Sequence, residues 1–427
     1  MKKIVRVLLV VGIATLLTSL AAGQGSFPFN LVKIPNSNAN VPTAINNGGQ
    51  VLVNAGTANA LSISLWNRVG GAESLGLTGA DNVGVALDDA DDVAGAGEPN
   101  GVGKVEAFLW QPGGNVTWLG TLGGAASAAN GVNATPELVG TSFTAAGLQH
   151  AFSWTSTSGM QDLTPNLTSP GGATATAINT AGEVVGYYYP NGASNVVGFT
   201  WTQANGLQSF GAPGTLAYAI NETGTIVGQE LTANGYRHAF SYTQAGGMVD
   251  LGTLGGSMAT ALAINNKGWI VGTSLTKDGS GILHGFLWTP SGGLQDLTAV
   301  SKLSSGKQPY SLGVNDYGDI ALSTKNGLVV LVPNVTVTAT PSANPTKAGQ
   351  TFTITAKLTS IAGPPPDGET VQCELGGVVQ GSGKLKNGAA QCTVYGTGAG
   401  SHKVSIIYGG DAYYLPFRNV VFTQVVN

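Results

Sequence analysis

The chain has 427 residues, of which 65 are glycine and only 9% are charged, and its formal net charge is -4. Ordinary soluble domains carry about 25% charged residues. The few charges are spread along the chain without a basic block, which excludes a nucleic-acid-binding surface, and the abundance of Gly, Thr, Ser and Asn favours short strands and tight turns over amphipathic helices.

The N-terminus has the pattern of a secretory signal. Basic residues within the first six positions precede an apolar run over 7–20 and small residues over 21–23. This order predicts a signal peptide at residues 1–23 and a secreted or cell-surface protein. The alternative is a membrane anchor, but the run is shorter than the roughly 20 residues that a spanning helix needs. With no second apolar run, we expect no membrane span in the mature chain.

A short phrase of the form Ala-Ile-Asn-x-x-Gly recurs seven times. Its Asn or Asp positions lie 42, 45, 46, 42, 44 and 50 residues apart. They are Asn46, Asp88, Asn133, Asn179, Asn221, Asn265 and Asn315. Such a period predicts repeated supersecondary units that bury their apolar faces against one another.

Each repeat contains four short β-rich runs. In the fourth copy they cover residues 175–178, 183–188, 196–202 and 206–210. The turn between the first two runs has Asn at its first position and Gly at its fourth, as in a type I turn whose last residue needs a positive φ. Four strands in about 45 residues are typical of one blade of a β-propeller.

The two ends of the repeat region complement each other. The last copy stops after its third strand, and residues 29–34 match the fourth-strand pattern without a blade of their own. This predicts a seven-bladed β-propeller over residues 27–333, whose last blade takes its fourth strand from the N-terminus and so leaves no open edge. An open β-solenoid is the alternative, although it would need polar caps and gives the orphan strand no role.

The repeated phrases also carry a family resemblance. Third strands begin with His-Ala-Phe or His-Gly-Phe at His150, His238 and His284, and the phrase Gly-Thr-Leu-Gly-Gly occurs at residues 120–124 and 252–256. Residues 27–333 thereby resemble the HAF repeat family of bacterial extracellular repeat proteins. The resemblance implies an extracellular location and brings no established enzymatic activity.

A second domain is predicted over residues 334–427. Strictly alternating runs at 335–340 and 351–358, bounded by Pro and Gly turns, begin a series of about seven strands. This number of strands in so short a segment predicts an immunoglobulin-like β-sandwich. The phrases at 400–404 and 408–414 resemble the bacterial Ig-like repeats of secreted and surface proteins.

Both cysteines of the chain, Cys373 and Cys392, lie in this second domain. Each shares an apolar strand face with its neighbours, so both thiols should point inward. In an exported protein this favours a disulfide, which would stabilise the domain by about 3 kcal/mol. Two buried free thiols are the alternative.

Residues that recur with the repeat are interpreted as scaffold. His150, His238 and His284 occupy one repeat position, so we expect them to lie apart around the ring with a structural role. Asp162, Asp250 and Asp296 are expected to accept hydrogen bonds at strand ends. The acidic run at 88–92 could bind a hard cation, but it lacks the ligand spacing of calcium loops and is interpreted as a solvated turn.

The least repetitive polar and aromatic side chains lie in the loops between second and third strands. They are the predicted ligand-binding residues Tyr187, Tyr188, Tyr189, Tyr236, Arg237, Lys277 and Asp278. Exposed aromatic rings beside polar groups suit a carbohydrate or a protein ligand. The alternative is solubilising loop chemistry with some Tyr packed on the blade.

The sequence therefore predicts a secreted, non-enzymatic binding, adhesion or cell-surface structural protein. Its expected partner is an extracellular glycan or a surface protein. No catalytic motif, metal site or cofactor site is predicted. The alternative is an extracellular glycan-active enzyme on one propeller face, for which the carboxylates that break the repeat pattern are the candidates: Glu98, Glu106, Glu230 and Asp278.

Overall fold

A computed structural model describes residues 28–35, 41–57, 60–77, 82–99, 103–300, 312–324, 326–396 and 398–427. The predicted signal peptide at residues 1–23 lies outside the described residues. Among the residues described, no helix is both long enough and apolar enough to cross a membrane.

Seven four-stranded antiparallel units follow one another around a ring, as predicted. The first three blades contain β2 (Val41–Ile45), β3 (Val51–Thr57), β4 (Ala60–Asn67) and β5 (Gly71–Ser74); β6 (Val83–Leu87), β7 (Val93–Gly97), β8 (Glu106–Gln111) and β9 (Asn115–Trp118); and β10 (Gly123–Val132), β11 (Leu138–Thr144), β12 (Gln149–Thr155) and β13 (Gly159–Asp162). The next three contain β14 (Ala173–Ile178), β15 (Val184–Tyr188), β16 (Val197–Thr202) and β17 (Gly206–Phe210); β18 (Leu216–Ile220), β19 (Ile226–Leu231), β20 (Arg237–Thr243) and β21 (Gly247–Gly252); and β22 (Gly255–Ile264), β23 (Ile270–Thr276), β24 (Leu283–Thr289) and β25 (Gly293–Asp296). A single helical turn, α1 (Leu297–Val300), follows β25.

The seventh blade closes the ring in the predicted way. It combines β26 (Leu312–Val314), β27 (Ile320–Thr324) and β28 (Gly327–Pro333) with β1 (Phe29–Lys33). β1 pairs antiparallel with β28 over its full length, from Phe29 opposite Pro333 to Lys33 opposite Val329. The N-terminal strand thus covers the outer edge of the last blade, and the seven-bladed ring is confirmed.

The propeller core lies between blades. Seven separate buried clusters each combine residues of two successive blades, and the last of them joins Val51 of the first blade to Val330 of the seventh. A single blade therefore exposes two apolar faces, and only its neighbours remove them from water.

Buried asparagine side chains link the first turns of successive blades. In six blades this Asn is 2% to 6% exposed, and its Oδ1 accepts the backbone N–H four residues later, as Asn179 does from Glu183 at 3.0 Å. Its Nδ2 donates to the backbone carbonyl of the equivalent residue in the next blade, as from Asn179 to Asn221 at 3.3 Å. The bond from Asn315 to Asn46, at 3.1 Å, joins the last blade to the first.

The second blade interrupts this ring of carboxamides, because it carries Asp88 in place of Asn. Asp88 Oδ1 accepts the N–H of Asp92 at 2.9 Å, as an Asn would. Its Oδ2 is buried and has no hydrogen-bond partner. Burial raises the pKa of Asp88 to about 6, and Asp92 and Asp89 add to the increase. A carboxylate cannot donate to the following turn, so one link of the ring is missing.

A glycine in the second strand of blades two to six faces a buried phenylalanine of the third strand. Gly186 lies opposite Phe199, which is fully buried. A Cβ on Gly186 would overlap the carbonyl oxygen of Thr174, where β14 bulges, and would lie 2.9 Å from the Phe199 ring. Glycine is required here by the close approach of three strands and not by a turn.

The C-terminal domain is a two-sheet sandwich, in agreement with the predicted Ig-like fold. One sheet contains β29 (Thr336–Pro341), β30 (Thr351–Thr359) and β33 (Ala389–Tyr395). The other contains β31 (Thr370–Leu375), β32 (Val378–Lys384), β34 (Gly400–Tyr408) and β35 (Phe417–Val426). The disulfide between Cys373 and Cys392 is present and joins the two sheets through the buried core.

The sandwich contacts the propeller beside the first turns of blades one, six and seven. The rings of Tyr317 and Tyr413 stack with centroids 3.4 Å apart. Lys267 Nζ donates to the carbonyl of Ala362 at 2.6 Å. Burial raises the pKa of Asp319, at the end of the seventh-blade turn, to about 7, and the nearby Arg68 opposes the increase.

The Gly186→Ala substitution should lower the free energy of unfolding by about 3 kcal/mol, because the new methyl group has no space between three strands. The matched control is Gly409→Ala, since a Cβ at this exposed glycine meets nothing within 4 Å. Urea unfolding of both variants tests this, and equal stability of the two would contradict it.

The Asp88→Asn substitution should stabilise the protein at alkaline pH by about 2 kcal/mol, because the amide restores a donor and removes a buried charge. The folded-state pKa of about 6 lies above the ordinary value of 3.8, so the ionised carboxylate destabilises the wild type above pH 6. The gain should therefore shrink as pH falls through 6 toward 4, where wild-type Asp88 is protonated.

Urea unfolding of wild type and variant at several pH values measures this difference. The reverse substitution Asn133→Asp serves as the matched control, since it should introduce a second gap and a loss with the same pH dependence. A pH-independent effect of Asp88→Asn would contradict the interpretation.

Candidate functional site

The linker between the third and fourth blades departs from the repeat. The linker after the second blade contains the Gly-Thr-Leu-Gly-Gly phrase, and its eight residues at 119–126 correspond to ten residues at 163–172. The longer linker includes Pro165 and Asn166, which are exposed. The larger of the two propeller cavities described here, about 620 Å³ against about 230 Å³, lies beside this linker.

Two buried leucines attach the linker to the core between the two blades. Leu163 and Leu167 are 6% and 8% exposed and belong to the same apolar cluster as Val184 and Phe199. Leu167 N–H donates to the carbonyl of Thr164 at 2.9 Å, which closes a tight turn around Pro165 and Asn166. The turn at 163–167 is therefore packed at both ends and presents Pro165 and Asn166 outward.

A groove of about 620 Å³ lies between this linker and the outer strands of the fourth blade. The linker residues 163–167 form one wall. The partly buried rings of Tyr188 and Trp201, with Leu207, form the other. Its size lies within the 300 to 1,000 Å³ or so of small-molecule sites.

Most polar groups at the groove already form hydrogen bonds within the protein. Asn191 accepts the N–H of Thr168 at 2.7 Å and donates to the carbonyl of Asn166 at 3.2 Å, so it holds the linker from the other side. The hydroxyl groups of Tyr188 and Ser209 share a hydrogen bond of 2.7 Å. Among the described residues, the indole N–H of Trp201 and the carboxamide of Asn166 have no protein partner.

A histidine and an aspartate fix the base of the linker. Asp162 accepts from Nδ1 of His150 at 2.8 Å through one oxygen and from the N–H of Thr164 at 2.8 Å through the other. His150 Nε2 faces the carbonyl of Leu167 at 3.1 Å. The expected structural role of these repeat residues thus includes, in this blade, support of the groove wall.

The predicted ligand-binding residues do not converge on one site. Tyr188 lines the groove, whereas Tyr187 packs edge-on against Tyr218, whose pKa is raised to about 12 by burial. The ring of Tyr189 lies against Gly171 of the linker. Their role in ligand binding stays a prediction.

The remaining predicted residues lie on other blades. Arg237 begins β20, and Tyr236, which directly precedes this strand, is 49% exposed. Lys277 and Asp278 are exposed after β23, and the hydroxyl of Thr276 lowers the pKa of Asp278 by hydrogen bonding to it. These four residues stay predictions as well.

A second, smaller cavity of about 230 Å³ lies at the ring axis, where the first turns of all seven blades meet. The acidic run at 88–92 borders it, and the interpretation as a solvated turn is wrong for Asp88 and Asp92, which are 8% and 3% exposed. Asp89 and Asp91 bind side chains of the first blade, such as Asn46. Among the described residues, no group of three or more His, Cys, Asp or Glu is arranged to hold a metal ion.

Sequence reasoning missed Trp201, Asn166 and Asn191. Trp201 ends a third strand at a position where Trp recurs in other blades, so it resembled scaffold. The usable signal was the length of the linker between the third and fourth blades, which has ten residues at 163–172 where the preceding linker has eight at 119–126.

Comparisons with known proteins bear mainly on the C-terminal domain. Residues 337–427 match the family model of the bacterial Ig-like domain (group 3). No curated protein matches the chain.

Several solved structures resemble the propeller. A streptogramin B lyase is 16% identical with a TM-score of 0.49, covering 72% of this chain and 98% of that one. Virginiamycin B lyase from Staphylococcus aureus is 12% identical with a TM-score of 0.45, covering 71% and 98%. A gluconolactonase from Xanthomonas campestris is 12% identical with a TM-score of 0.36, covering 71% and 99%. Identities this low say nothing of the activity of this chain.

Proposed function

We propose that this protein is a secreted or cell-surface binding protein that holds a carbohydrate in the groove between its third and fourth blades, without chemical turnover. The observation that carries the proposal is the meeting of two aromatic rings and uncommitted hydrogen-bonding groups at an altered linker. Trp201 and Tyr188 supply the rings, and the Trp201 indole and the Asn166 carboxamide supply the polar groups.

The chemistry of the groove suits a neutral sugar. A pyranose has an apolar C–H face that packs on an aromatic ring and hydroxyl groups at its rim that exchange hydrogen bonds with amides. Asp162 is the one acid among the lining residues, and both its oxygens are occupied by His150 and Thr164. No lining residue is a Lys or an Arg, so the groove has no free charge to attract an ionic ligand.

The glycan-active enzyme alternative is not supported at this groove. Glycoside hydrolysis uses two carboxyl groups roughly 5 to 9.5 Å apart, and the lining residues include one. The carboxylates suggested by the sequence lie on the second, fifth and sixth blades: Glu98, Glu106, Glu230 and Asp278. Binding without hydrolysis therefore accounts better for the groove.

Four features support an extracellular location. Residues 337–427 match a bacterial Ig-like domain, and Cys373 and Cys392 form a disulfide of the kind that persists in oxidising compartments. The predicted signal peptide and the resemblance to HAF repeats agree with export. We propose that the Ig-like sandwich and propeller act together at the cell exterior.

A glycan array probed with the full mature chain should identify a neutral oligosaccharide ligand. Trp201→Ala should then weaken its affinity at least about tenfold, because the stacking surface is lost. The matched control is Trp288→Ala, which removes the Trp at the end of the third strand in the sixth blade, also partly buried against a core between blades. Isothermal titration calorimetry measures both variants.

Circular dichroism first establishes that both variants are folded. Equal affinities of the two variants would show that the ligand binds elsewhere than in this groove. If no glycan on the array is bound and a specific surface protein is captured instead, the ligand is a protein and the carbohydrate proposal is wrong.

A further inference from the structure

We propose that His150 is a positioning residue that holds the linker wall of the groove only while both of its ring nitrogens are protonated. The groove is then ordered at low pH and loosened as pH rises. The geometry of the clamp stands by itself, and its effect on ligand affinity rests on the proposed function.

Both nitrogens of His150 face oxygen atoms. Nδ1 lies 2.8 Å from a carboxylate oxygen of Asp162, and Nε2 lies 3.1 Å from the carbonyl oxygen of Leu167. A carbonyl oxygen can only accept, so Nε2 must carry a hydrogen. With Asp162 ionised, Nδ1 must carry the other, and the arrangement needs the imidazolium.

Loss of one proton to solvent breaks this arrangement. Asp162 retains the Nδ1–H, because a hydrogen bond to a carboxylate is the stronger one. The lone pair of Nε2 then faces the lone pairs of the Leu167 carbonyl, and the two repel. Leu167 anchors the linker beside the groove, so the repulsion is applied to the groove wall.

The equivalent histidines lack the second acceptor. His238 Nδ1 binds Asp250 at 2.8 Å and His284 Nδ1 binds Asp296 at 2.7 Å. Among the described residues, neither has a partner at Nε2. The neutral Nδ1–H tautomer satisfies both, so deprotonation leaves their hydrogen bonds intact. Among the described residues, only His150 of the three equivalent histidines makes this second contact.

Asp162 is the charged residue that faces His150 among the side chains packed around it. Across β11 its partner is Ser142, and along β12 its neighbours are Gln149 and Ala151. The linker contributes neutral Thr164 and Leu167, and the titratable rings of Tyr188 and Tyr189 border the same linker from β15. The His150 side chain is 5% exposed, so solvent offers little substitute for a lost hydrogen bond.

Hydrogen–deuterium exchange of the ligand-free full chain tests the clamp directly. Peptides that cover residues 163–172 should exchange about tenfold faster near pH 8.5 than near pH 5.5, after correction for intrinsic exchange, because a charge-assisted hydrogen bond is lost. Asp162→Asn should speed the exchange of the same peptides near pH 5.5, since Nδ1 of His150 loses its charge-assisted acceptor. A merely structural His150 would give no dependence on pH.

The matched pair His150→Ala and His238→Ala locates the effect. The first should remove the pH dependence of residues 163–172 and leave the linker loose throughout, and the second should leave that profile unchanged. If His150→Ala fails to fold, the wild-type and Asp162→Asn profiles still decide the question. A pH-independent wild-type linker would overturn the proposal, as would a His238→Ala variant that abolishes the effect.

The readout contains no ligand, so it separates the clamp from the proposed function. A blank glycan array would leave a pH-dependent linker in place. Conversely, if the exchange of residues 163–172 does not depend on pH, the clamp is disproved, but a measured affinity for a sugar remains valid.

Discussion

The hydrogen bond from a buried Asn carboxamide to the next first turn is the constraint on which this propeller depends. The side chain satisfies its own turn through Oδ1 and the neighbouring turn through Nδ2, as Asn221 does toward Thr225 and Asn265. One amide therefore fixes both the conformation of a turn and the distance between two blades. Because the donors and acceptors are buried, any blade out of register would leave polar groups unsatisfied.

Ring closure follows from the same constraint. Two contacts bring the ends of the repeat region together. The Asn315 to Asn46 hydrogen bond lies near the ring axis, and the pairing of β1 with β28 lies at the outer edge. The apolar clusters between blades supply the stabilising free energy, while the carboxamides and the close-packed glycines specify the geometry. A blade in this ring is defined as much by its neighbours as by its own four strands.

Departures from the repeat have different consequences in different places. Asp88 interrupts the ring of carboxamides and leaves a buried oxygen without a donor. The lengthened linker at 163–172 forms one wall of a groove. His150 contacts this wall, whereas the equivalent histidines of other blades bind only the aspartate of their own blade. Both departures are substitutions or insertions of a few residues, and the rigid repeats around them confine the effect to one junction.

Most of the architecture could be predicted from the sequence because it is local and repeated. The Asn-x-x-Gly turn requires a positive φ, and Gly182, at φ 76°, has it. The orphan strand at residues 29–34 and the missing fourth strand could be matched by pattern alone. The disulfide was predictable because alternation placed Cys373 and Cys392 on inward faces.

The candidate site could be predicted only in part. Tyr188 was identified since it breaks the repeat, but Trp201 was not, since its position repeats. Whether a partly buried Trp is covered or lines a groove depends on the linker after the preceding blade, which lies 29 to 38 residues before Trp201 in the sequence.

By itself, the sequence determined the number of blades, the turns, the closing strand and the second domain, because each depends on short-range patterns that recur or alternate. Only the tertiary structure decided which repeated residues have an additional role. It placed Trp201 beside the altered linker, gave His150 a second acceptor that His238 lacks, and left Oδ2 of Asp88 without a hydrogen-bond partner. These outcomes depend on contacts between blades, where residues far apart in sequence meet and where a single repeat carries no information about its neighbour.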